Sequence, residues 1–156
     1  MFLYLVQHGE AVTKEKDPER PLSSTGVVDV NKVAGFVAEN CGIVVGTKIH
    51  HSGKLRARQT AKIIAGALKL PGPELGDNLN PRDDPAVWQS RLSESLHDQV
   101  LIGHLPYMSR LVSQLLTGDP ERGVVKFRMG GIVALRREEG LWSLQWMVVP
   151  EIIPGK

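Results

Sequence analysis

Five apolar residues, Phe2 to Val6, run without strict alternation and break off at Gln7-His8-Gly9. So short and continuous a run suits a strand covered on both faces, and a chain built on it must supply helices for each face. The sequence does so. Ser23, Ser24 or Thr25 can cap a helix whose apolar face is Val30, Val33, Ala34, Val37 and Cys41, with Gly42 at its end. A short strand is expected at Lys48 to His51. A second helix should follow, with Ala57, Ala61, Ile64, Ala65 and Leu68 on one stripe and Pro71 as its stop. Residues 72–85 are rich in turn formers and are expected to loop over a sheet edge before a short helix from Ala86 to Leu96. Gln99 to Gly103 is another buried strand. Pro106 then opens a helix bearing Met108, Leu111, Val112 and Leu115, closed by Gly118 and Pro120.

The period then changes. Val124 to Met129, Ile132 to Arg137 and Leu141 to Val149 read as strands, the last with Trp142, Leu144, Trp146 and Val148 on one face. Glu138-Glu139-Gly140 supplies a hairpin turn. Strands alternating with helices, followed by a hairpin, predict an α/β fold: a three-layer α/β/α sandwich whose mainly parallel sheet has an antiparallel edge. At 156 residues the chain suits a single domain spanning 1–156.

Composition narrows the function classes. Lys plus Arg is 19 and Asp plus Glu 17, a formal charge of +2, too balanced to announce a nucleic acid or an acidic membrane as partner. Any cationic site must be local. The single cysteine, Cys41, has no internal disulfide partner and reads as buried filler, which fits a cytoplasmic setting. Residues 1–6 lack the basic leader of a signal peptide, and no run of about 18 apolar residues is present to span a bilayer. A monomer is expected.

Ligands of open α/β sheets sit at the carboxyl ends of the strands, and three histidine- or arginine-bearing turns fall at such ends. In LVQHGEA, His8 follows the buried strand, and Gly9 lets backbone approach a ligand closely. With Nδ1–H bound to a backbone carbonyl, the other ring nitrogen of His8 keeps its lone pair and can attack phosphorus. Taken alone, His-Gly is more often just a polar strand end. In HHSGKLRARQTA, Arg56 and Arg58 lie in the opening turns of a helix, where amides and dipole favour an anion. Only Arg56 shares the helical phase of the strand-facing end; Lys54, Arg58 and Lys62 are expected in solvent. His50 and His51 point to opposite faces, so one can be packed and one can look toward the site. Neither has the HExxH, CxxC or carboxylate company of a metal ligand, and no metal or cofactor is expected. In LIGHLPYMSRLV, His104 repeats the strand-then-helix geometry as a second cation or a donor to an equatorial phosphoryl oxygen. His97 is expected at the surface.

LVQHGEA, DPERPLSSTG, HSGKLRARQTA and VLIGHLP occur in this order and resemble the motifs of the histidine phosphatase superfamily (phosphoglycerate mutase-like), in particular its SixA-type phosphohistidine phosphatases. The resemblance covers nearly the whole chain. It implies a metal-independent phosphatase in which His8 is the nucleophile, Arg56 and His104 are catalytic, and Arg20, Gln7 and Gly9 bind the substrate phosphate. Asp84 matches the family's Asp-Pro loop and is a candidate general acid, as is Glu10; Asp84 reads equally well as a helix cap. The family's arginine before the nucleophile is here Gln7, so one bidentate clamp is missing, and Lys54, His51 or Arg58 are candidates to replace it. The large insertions with which sugar-phosphate-processing relatives cover their sites are missing too. The resemblance thus implies an open pocket suited to phosphohistidine on a partner protein, with a small phosphorylated substrate as the alternative. A leaving imidazole, with a reference pKa of about 6.5, is far easier to expel than an alkoxide. A weakened phosphate- or phosphohistidine-binding module is the rival expectation.

Overall fold

The computed structural model describes residues 1–155. Six strands form one sheet: β1 (Phe2–Gln7), β2 (Lys48–His51), β3 (Glu74–Leu75), β4 (Gln99–Gly103), β5 (Ile132–Glu138) and β6 (Leu141–Val148), in the order β3-β2-β4-β1-β5-β6. The pairs β3–β2, β2–β4 and β4–β1 are parallel; β1–β5 and β5–β6 are antiparallel. Four helices cover the sheet: α1 (Ser24–Asn40), α2 (Leu55–Leu68), α3 (Pro85–Glu94) and α4 (Tyr107–Thr117).

The pleat divides the core in two. Tyr4, Val6, Ile49, Val100 and Ile102 face α1 and α2, meeting Val30, Val33, Val37, Ala57, Ala61 and Ile64. Leu3, Leu5, Leu101, Val133 and Leu135 face α3 and α4, meeting Trp88, Leu92, Met108, Leu111 and Val112. This is the α/β/α sandwich expected, and no helix among the described residues is long and apolar enough to cross a membrane. Ser23 caps α1, its Oγ accepting from the Gly26 N–H at 3.0 Å.

Several details differ from the sequence reading. Residues 124–129 form no strand, although Val125 and Phe127 alternate inward as one would. The segment lies between two glycines at positive φ, Gly123 and Gly130, and its first amide is turned aside: Ser113 Oγ accepts from the N–H groups of Gly123 and Val124. On β6 the four residues expected on one face divide. Leu144 pairs with Leu135 and Trp146 with Ala134, so Gln145 is a bulge residue that reverses the alternation. Trp142 consequently packs on the α4 side and Trp146 and Val148 on the α1 side. The turn-rich loop after α2 contributes the two-residue edge strand β3, and α2 ends at Lys69 in the left-handed region, before Pro71. Cys41 is only partly buried, forming the carboxyl cap of α1.

Candidate active site

Strand order positions the site. β4 lies between β2 and β1, so the turn after β4, with His104, sits between Ser52 after β2 and His8 after β1. The ladder continues one step into each turn, the His8 N–H donating to Gly103 O and the Ser52 N–H to Ile102 O, both at 3.1 Å. The result is two imidazole rings with centroids 4.9 Å apart.

His8 is 9% exposed and its Nδ1 lies 2.7 Å from Gly9 O. A carbonyl only accepts, so Nδ1 carries the proton and Nε2 carries the lone pair. Burial pushes the His8 pKa down to about 4; the Gly9 bond opposes this, and the charges of Arg56 and Arg20 add to it. His104, 2% exposed, is pushed down to about 3, first by burial and then by His8, Arg56, Lys54 and Arg20. Both rings are therefore neutral at pH 7, and every charge bearing on them is cationic. Arg56 itself has a lowered pKa, from burial and from Arg20 beside it. Among the described residues, Arg20, Arg56 and Lys54 form no ion pair.

The long loop before α1 is folded back to deliver Arg20. Ala11 bridges Leu22, the Val12 N–H donates to Pro21 O at 2.9 Å, and Arg20 Nε donates to Val12 O at 3.1 Å. Arg20 takes a left-handed conformation, φ 50°, which turns the loop inward. Two residues to which the sequence reading gave no role hold these loops to α2. Gln59 Oε1 accepts from the Leu22 N–H at 2.7 Å, and Thr60 Oγ1 accepts from the Gly9 N–H at 3.0 Å while donating to Arg56 O. Both lie in the RARQTA stretch, one turn beyond Arg56, which is the signal that could have found them.

Gly9 is thus a correction. Its N–H is spent on Thr60, and a Cβ there would meet Val30 Cγ2 at 2.7 Å, so it is glycine to let α1 approach rather than to admit a ligand. Asp84 is exposed, with Oδ1 accepting from the Ala86 N–H at 2.9 Å. It caps α3, and among the charges bearing on His8 and His104 it has no part. Glu10 is exposed beside His8, with Oε1 accepting from Ser23 Oγ at 2.7 Å, and shares with Gln7, Leu105 and Arg128 a cavity of about 400 Å³. The Gly130 N–H donates to Gln7 O and His8 O. Arg58, Lys62 and His97 are exposed; His51 is buried with Nδ1 2.5 Å from Ser52 O, and His50 packs against Trp88.

Among the described residues, three polar atoms of candidate site residues are buried without a partner: Arg56 Nε, His104 Nδ1 and Gln7 Oε1. Buried polar atoms are almost always satisfied, so the two unpartnered nitrogens, set among uncompensated cations, are an arrangement chemically suited to an anion, whereas the Gln7 oxygen is an acceptor. Among the described residues no group of three or more His, Cys, Asp or Glu is placed to hold a metal ion.

The chain is 26% identical over 157 residues to phosphohistidine phosphatase SixA of Escherichia coli strain K12, covering 96% of this chain and 94% of that protein. A solved structure of the protein histidine phosphatase SixA complexed with tungstate matches with a TM-score of 0.83 at 25% identity, over 96% of this chain and 97% of that one. The fold is that of a SixA-type histidine phosphatase. An uncharacterised protein of Picosynechococcus sp. is 29% identical over 148 residues, 87% of this chain and 85% of that protein. No family model matches the chain. Within the SixA-type fold, the sheet ends that carry His8 and His104 are those at which α/β proteins bind ligands.

Proposed function

We propose that the chain is a phosphatase that transfers the phosphoryl group to His8 and then to water, with phosphohistidine on a partner protein as its substrate. The observation that carries this reading is the pair of neutral imidazoles facing uncompensated cations and orphaned donors. His8 Nε2 attacks phosphorus along its lone pair, the phosphorus–nitrogen bond to the substrate imidazole breaks, and the leaving ring takes a proton from solvent, to which Glu10 later returns one. Water then attacks phospho-His8, giving its proton to Glu10, and inorganic phosphate departs as the His8 ring recovers its lone pair. Arg56 and Arg20 hold the equatorial oxygens, whose charge must be matched by fixed donors in both steps. The SixA structure complexed with tungstate supports the expectation that such an anion binds here.

Two measurements test the proposal. Tungstate or phosphate should bind with one molecule per chain and shift the resonances of His8 and His104, and the protein should release phosphate from a phosphohistidine-bearing protein faster than from an aryl phosphate. Binding without release in either assay would leave only the weakened binding module.

That second reading is favoured by one observation, the amide of Gln7 where the resembling family has arginine. Its buried Oε1 is an acceptor without a donor, and turning the amide over puts its NH₂ there as a neutral donor. Gln7→Arg is expected to raise aryl phosphatase activity about tenfold by restoring a charged fork. A flat or lower activity would mean that a cation already fills the place, and Lys54, whose charge reaches His104, is the first to remove in a double mutant.

A further inference from the structure

Ser52 Oγ lies 2.5 Å from His104 Nε2, with the two residues 1% and 2% exposed. Ser52 lies at the start of the HSGKLRARQTA stretch, where neither spacing nor charge pattern gives it a task. We infer that Ser52 is a positioning residue: its hydroxyl donates to His104 Nε2, which holds His104 as the tautomer protonated at Nδ1 and aims that N–H at the substrate's phosphoryl oxygen. The inference rests on the proposed phosphatase reading for its substrate but on geometry for its tautomer.

The direction of the bond follows from what else each atom can do. Among the described residues, the Ser52 hydroxyl has no other acceptor within reach, so a proton not given to Nε2 would be buried and unspent. His104 Nδ1 is buried without a protein partner, and the ring it belongs to faces His8. A lone pair at Nδ1 would point into a site built for an anion and would repel it; an N–H there completes the donor set. Only an Nε2 that accepts satisfies both ends. Ser52 is itself held by the end of β2, its N–H bonded to Ile102 O and its carbonyl to His51 Nδ1–H. The hydroxyl therefore cannot drift away from the ring.

The choice of serine also sets the charge. A carboxylate at this place would favour imidazolium, whereas a hydroxyl leaves the ring neutral among His8, Arg56, Lys54 and Arg20, the groups facing it. His104 then stabilises the transferring phosphoryl group as a neutral donor and needs no proton from solvent on each turnover. Of the two roles open to it from sequence, donor and second cation, the geometry selects the donor.

Nitrogen-15 spectra of the histidine-labelled full chain with bound tungstate decide the tautomer directly. The expected result is a protonated Nδ1 and an unprotonated Nε2 for His104 in the wild type. In Ser52→Ala the Nε2 loses its donor, the ring redistributes toward Nε2–H, and kcat falls about tenfold with KM little changed. Ser52→Thr, which keeps the hydroxyl, restores both the spectrum and the rate. A wild-type His104 protonated at Nε2, or a Ser52→Ala protein with unchanged spectrum and kcat, would overturn the inference. A wild type that shows the stated tautomer and its response to Ser52→Ala but releases no phosphate would support the positioning role and sink the phosphatase reading alone.

Discussion

Replacing His8 with alanine is expected to stop phosphate release, lowering kcat by about 10⁴-fold or more, while the fold persists. The size follows from the proposed role: a nucleophile lost from an organised site removes the two-step route altogether, leaving only what binding and fixed donors contribute. The fold should survive because the imidazole makes a single protein hydrogen bond, to the carbonyl of its own neighbour Gly9, and the strand behind it is anchored by Leu3, Leu5 and Val6. Trapping the working enzyme with labelled substrate should yield a phosphate that is labile in acid and stable in base, and His8→Ala should abolish the label. Turnover that persists in His8→Ala would remove His8 as nucleophile. Turnover stopped by a chelator would point instead to a metal mechanism.

The placement of His8 and His104 was legible because strands announce themselves by composition. FLYLV is apolar throughout and QVLIG is so after its first residue, each is followed by a turn, and a parallel sheet puts their carboxyl ends together. What could not be read was which neighbours would claim the polar groups around them. Ser52, Gln59 and Thr60 are small or neutral residues whose roles depend on which of several partners lies within 3 Å, and sequence spacing carries no such distance. Gly9 shows the same limit from the other side. A glycine after a strand suits a ligand or a packed helix equally well, and only the position of Val30 decides between them. The missed bulge at Gln145 has a related cause, since Trp142, Leu144, Trp146 and Val148 alternate in sequence whether or not a residue is skipped in the ladder. Residues 124–129 had strand composition but no strand to pair with.

Arg56→Ala is expected to lower kcat by on the order of 10²–10³, the usual cost of removing one fixed donor from a site of this kind. The guanidinium offers more than charge: among the described residues its Nε is buried without a protein partner, and the proposed reading gives that N–H to the substrate. Arg56→Lys, which keeps the charge but loses the fork, should recover only part of the rate. The pH dependence supplies an independent check. Burial is the main reason His8 is held at about 4 and His104 at about 3, but Arg56 adds to both, so its removal lets both values climb part of the way toward the ordinary 6.5. The acid limb of kcat/KM, expected in the wild type near pH 4 from protonation of the His8 lone pair, should move to higher pH in the variant. Stability should respond with the opposite benefit. In the wild type the unfolded chain binds protons on these two residues below pH 6.5 while the folded chain refuses them until about 4 and about 3, so stability falls as the pH drops through that window. Arg56→Ala narrows the gap, and thermal melts at pH 7 and pH 4.5 should show a smaller acid loss than in the wild type. An acid limb and an acid loss that both stay where they were would mean that Arg56 does not bear on the histidine pair, and its place in the phosphate site would have to be given up.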